Sequence, residues 1–132
     1  MLYTIKDYLR VPYVDGGRDM LGFDCWGMTR HRLHHHYGHP LFESFGHINP
    51  DDKPTLTTAY KQIIDEFSVC NPKPGAIACG FKLNCLVHMG TCEVIDGELR
   101  VLHTSRKNGA SHIKVADFKR LFIGVKFYEY KG

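Results

Sequence analysis

Cys25 is the residue best placed to do chemistry. It follows Asp24, opens a segment with helical spacing, and lies between Gly22 and Gly27. A thiol in the first turn of a helix meets free backbone N–H groups and the positive end of the helix dipole. Both favour the thiolate and predict a lowered pKa. The same N–H groups could hold a developing oxyanion, and the two glycines permit close approach of a ligand or of backbone. A nucleophilic Cys needs a base. His88 and His103 lie on either side of Asp96-Gly97, a strong hairpin turn signal. Across such a turn His88 faces Ser105 and His103 faces Gly90, which brings the two imidazoles together. One could take the thiol proton while the other orients it. A single strand histidine is most often an exposed ring; two on neighbouring strands weaken that reading.

The other histidines and cysteines are read more plainly. His31, His34, His35, His36 and His39 form a dense run, and His31/His35 and His35/His39 have the spacing of a shared metal on one helix face. No carboxylate lies inside the run, and it falls at the C-terminal end of a helix, where cationic His suits the dipole. The expectation is a solvated helix end without metal. His47 and His112 receive no role. Cys70, Cys79, Cys85 and Cys92 contain no C-x-x-C pair, and five cysteines is an odd number. They are expected to be reduced and mostly buried as small apolar residues.

These residues need elements to position them. Thr4 can cap a short helix that ends at Val11-Pro12. Asp15 to Asp19 reads as a turn-rich loop. Asp24 is a good N-cap for a helix running to about Tyr37, with Trp26, Thr29, Leu33, His36 and Tyr37 on its less polar face. Residues 40–54 read as irregular loop. Thr55 or Thr57 caps a further helix to about Phe67, with Leu56, Tyr60, Ile63 and Ile64 facing the core. After Pro72 the period changes. Strands are expected at 76–79, 86–95, 98–104, 111–115 and 123–130, with a short helix at 116–121. Helices first and antiparallel strands later predict an α+β fold in one domain.

Composition excludes several function classes. With 132 residues, 43% hydrophobic and 23% charged, the chain is ordinary globular material. No apolar run is long enough for membrane insertion. Lys6, Asp7 and Arg10 interrupt the first ten residues, so no signal peptide is read there and synthesis is expected in the cytoplasm. A net charge of +3, spread along the chain, is too weak to imply nucleic acid.

The ordered motifs Pro12-Tyr13-x-x-Gly16-Gly17-Arg18, Gly22-Phe23-Asp24-Cys25-Trp26-Gly27, Val87-His88-Met89-Gly90 and Leu102-His103-Thr104-Ser105 resemble the NlpC family of bacterial cell-wall cysteine peptidases. The Trp after the Cys is most similar to the branch found in phage tails and tail assembly. The resemblance implies a papain-like fold, with N-terminal helices packed on an antiparallel sheet. By position it implies Cys25 as nucleophile, His88 as general base and His103 as the residue orienting His88. Tyr13 would help bind substrate or the oxyanion, and Asp24 would receive the free amino end of a peptide. The implied substrate is a peptidoglycan stem peptide, cut between D-Glu and a diamino acid. Other phage tail proteins are the implied partners, and neither a metal nor an organic cofactor is implied. Two positions depart from the family pattern: Asp15 stands where Trp is frequent, and Met89 where Val or Ile is usual.

Overall fold

Residues 3–132 are described by the computed structural model. Thr4 starts α1 (Ile5–Leu9) through a reciprocal capping box with Asp7. A two-residue hairpin, β1 (Arg18–Asp19) with β2 (Gly22–Phe23), follows. Its strands were not legible because they are too short to show a period. The main helices are α2 (Cys25–His35) and α3 (Lys53–Ile64). Asp52, not Thr55 or Thr57, caps α3: its side chain accepts from the Thr55 N–H, and Pro54 stands in the first turn, where its missing donor costs nothing. The helix stops at Ile64, and Phe67 opens a strand instead of extending it.

The strands are β3 (Phe67–Cys70), β4 (Ile77–Lys82), β5 (Cys85–Ile95), β6 (Glu98–Ser105), β7 (Gly109–Lys114) and β8 (Gly124–Tyr130). They form one antiparallel sheet in the order β3-β8-β4-β5-β6-β7. A short helix, α4 (Val115–Arg120), precedes β8. The chain is therefore α+β. The hairpin register follows the sequence expectation: Ile95 pairs Glu98 and Thr91 pairs Leu102 across Asp96-Gly97. Both turn residues have positive φ, 53° and 78°, as a tight hairpin requires.

Alternation along the strands divides the core. One face packs Ile77, Cys79, Leu86 and Met89 against Trp26 and Leu33 of α2 and Ala59 and Ile63 of α3. The other face carries Ala76, Ala78, Cys92 and Val101 under Phe118 of α4. A third cluster joins Tyr8, Phe23, Met28 and Leu102. At the first of these interfaces Arg32 of α2 donates to both carboxylate oxygens of Glu93 at 3.0 Å. The Tyr37 and Thr91 hydroxyls donate to the same carboxylate at 2.6 and 2.7 Å. This satisfied buried pair explains why α2 is more enclosed than its weak amphipathic pattern suggests.

The histidine run corrects an expectation. His31 is not solvated: it is 7% exposed, among Tyr3, Tyr8 and Phe23, with its Nδ1 2.8 Å from the Tyr8 hydroxyl. Burial pushes its pKa down to about 4. His35 and His36 are exposed. All five cysteines are free; Cys79 and Cys92 are buried, and Cys70 and Cys85 are partly so. No helix among the described residues is long and apolar enough to cross a membrane.

Candidate active site

Asp24 fixes where α2 begins and what lies before it. Its carboxylate accepts from the Gly27 N–H at 2.8 Å, the Gly16 N–H at 3.0 Å and Arg18 Nη1 at 2.5 Å. Arg18 also donates to the carbonyls of Gly17 and Ser44, each at 2.7 Å. The glycine loop is thus clamped to the helix start by a buried charge pair. Gly27 allows that approach, since a Cβ there would lie 2.0 Å from the Gly17 carbonyl oxygen. Asp24 is 5% exposed, and three donors already occupy its carboxylate. Its evident task is to hold Cys25 in place.

Cys25 lies at the meeting of two recesses. One is polar and bordered by Tyr13, Asp24, Lys53, His88, Thr104 and Arg106, with about 640 Å³ of atom-free space, open mouth included. The other is apolar and runs between α3 and the sheet past Leu56, Ile63, Cys79 and Met89. Cys25 and His88 border both.

The structure joins the two histidines. His88 Nε2 lies 2.7 Å from His103 Nδ1, and His103 Nε2 lies 3.3 Å from Ser111 Oγ. By elimination, Nδ1 of His88 is the nitrogen left to handle a substrate or thiol proton. Gly90 makes the arrangement possible: a Cβ there would meet the Leu102 carbonyl oxygen at 2.4 Å and the His103 Cβ at 3.0 Å. Ser111 escaped the sequence reading, although it stands opposite His103 across β6 and β7.

Cys25 and the histidines are not hydrogen-bonded to each other among the described residues. The imidazoles lie on the α4 side, where His88 stacks on Phe118 and Phe122 at centroid distances of 6.1 and 5.7 Å. Cys25 packs with the α2–α3 cluster on the other side. The recesses reach both because the sheet is irregular there. Gly80 pairs His88 and Phe81 pairs Leu86, so Val87 is an extra residue on β5.

The charge state of Cys25 also differs from the sequence expectation. Burial, then the Asp24 carboxylate, pushes the thiol up to about 11, against the smaller opposing effects of Lys53 and the Met89 and Trp26 N–H groups. The helix start does not win, because a desolvated sulfur next to an anionic cap pays more than the terminus returns. Burial, with His103 and Lys53 adding to it, lowers His88 to about 3; burial lowers His103 to about 4. At neutral pH the resting site therefore holds a thiol and two neutral imidazoles.

Tyr13 stands at the rim. Its phenol is pushed up by burial and by a hydrogen bond to Asp15. Arg106 bridges Asp15 at 2.9 Å and Asp51 at 3.1 Å, with its guanidinium 5.8 Å from the Tyr13 ring centre. Thr104 Oγ1, fully buried beside them, has no hydrogen-bond partner among the described residues. No group of three or more metal-ligating side chains occurs among the described residues. No family model, no curated protein and no solved structure matches this chain.

Proposed function

We propose that the chain is a cysteine peptidase acting on peptidoglycan stem peptides, with the papain-like NlpC architecture and a place in a phage tail. The observation that carries this reading is Cys25, at a clamped helix start, sharing a cleft with His88, which His103 holds by a 2.7 Å hydrogen bond. In this mechanism Nδ1 of His88 takes the Cys25 proton as the sulfur attacks the amide carbonyl carbon. The amine leaves with that proton and a thioester remains. Water, deprotonated by His88, then releases the acid and restores the thiol. The resting neutral pair supports a site that becomes charged only with substrate, as the proton passes from Cys25 to His88 in the cleft both border. Tyr13 lines the rim for substrate or oxyanion contact. Asp24 acts through its hold on the glycine loop and the helix start, its carboxylate being taken up by Arg18 and two backbone N–H groups.

A second reading, a tail-assembly component that does no chemistry, is favoured by the neutral thiol and by its separation from the imidazoles. Digestion of purified peptidoglycan by the wild type and by Cys25→Ala, read by mass spectrometry, decides between them. Stem-peptide fragments from the wild type alone are expected. Their absence with both proteins folded would transfer the assignment to assembly, and fragments from Cys25→Ala would remove Cys25 as nucleophile.

A further inference from the structure

Lys53 is the first residue of α3, directly after the Asp52 cap, whose carboxylate is turned to the Thr55 N–H and hydroxyl. Its side chain borders both recesses together with Cys25 and His88. No ion pair or side-chain hydrogen bond holds its ammonium among the described residues. The neighbouring cations are engaged: Arg18 with Asp24, and Arg106 with Asp15 and Asp51.

We propose that Lys53 is the electrostatic partner of the Cys25 nucleophile, supplying the positive charge that stabilises the sulfur as it loses its proton and the oxyanion that follows. This rests on the thiol-hydrolase reading above. Cys25 otherwise faces an unhelpful field. Asp24 lies beside it on α2, Asp15 and Tyr13 on the preceding loop, Asp51 before α3, and Cys79 and His88 on the sheet. Burial and Asp24 oppose the thiolate, and Lys53 is the side chain that opposes them. The same charge disfavours a proton on His88. It therefore favours departure of the proton from sulfur, partly offsets this by opposing uptake of that proton at His88, and favours its later passage from His88 to the leaving amine. The four-carbon stem of Lys53 lets the ammonium follow the charge from sulfur to carbonyl oxygen.

The test is the rate of Cys25 alkylation by iodoacetamide, an uncharged reagent, followed by peptide mass spectrometry from pH 7 to pH 10. Wild type is compared with Lys53→Met, which keeps the stem, and Lys53→Arg, which keeps the charge. At low salt Lys53→Met should react about five-fold more slowly at each pH, and Lys53→Arg should recover most of the loss. Molar salt should shrink the difference. Superimposed profiles for the wild type and Lys53→Met, with native circular dichroism, would overturn the proposal. So would a loss in Lys53→Met that Lys53→Arg does not restore. No substrate enters this assay, so its failure is separate from a failure to cut peptidoglycan.

Discussion

One buried and two partly buried histidines make the fold itself sensitive to mild acid. His88, His103 and His31 have folded pKa values of about 3, 4 and 4, against 6.5 in the unfolded chain. Above 6.5 both states carry neutral imidazoles, and this contribution to stability is complete. Below it the unfolded chain binds protons that the native state refuses, so stability falls until the pH reaches the folded values. At pH 5 the loss is about 2 kcal/mol for each histidine, a ceiling of about 6 kcal/mol for the three. Water entry at the cleft and at the edge of the His31 cluster screens this, and about 3 kcal/mol is the working figure. A domain of this size has a total of about 5–15 kcal/mol to lose. The assay is urea unfolding at pH 7.5, 6 and 5, followed by tryptophan fluorescence. With a slope of about 1.5 kcal/mol per molar urea, the midpoint should fall by about 2 M between the extremes. His31→Asn should flatten the dependence by one histidine's share. A midpoint that does not move between pH 7.5 and pH 5 would refute the account of these residues as at least partly buried and neutral.

Other perturbations have equally definite outcomes. Glu93→Gln leaves Arg32 without its buried countercharge and should cost about 3–5 kcal/mol, read as a lowered thermal midpoint. Gly90→Ala should cost about 2 kcal/mol or more, because its Cβ must push β6 away, and any peptidase activity should fall with the displaced His103. A thiol near 11 predicts that Cys25 holds about 300-fold less thiolate at pH 7.5 than an ordinary cysteine, so iodoacetamide should label it slowly in the native protein and normally in urea.

The parts of the fold legible in the sequence are those set by local signals. Asp96-Gly97 determines the hairpin register, and with it the meeting of His88 and His103. Asp24 determines the start of α2. What escaped depends on contacts between distant segments. The raised pKa of the Cys25 thiol is not legible locally, because its desolvation comes from α3 and the sheet, which no window around residue 25 contains. The bulge at Val87 depends on pairing with β4, where Gly80 stands at the register shift, and no Gly or Pro adjoins Val87 itself to mark it. His31 has polar neighbours in sequence, and it is Tyr3, Tyr8 of α1 and Phe23 of β2, brought in from the preceding segment, that cover it.

The strand order has a consequence for synthesis. β3 pairs only with β8, and β8 inserts between β3 and β4. At about 5–20 residues per second, the ribosome needs roughly 3–12 s to travel from Cys70 to Tyr130. During that interval the hairpin carrying both histidines can form, whereas Phe67 and the flank of β4 wait without their neighbour. A nascent chain stalled before residue 124 would thus expose two unpaired strand edges, the species a chaperone would be expected to hold.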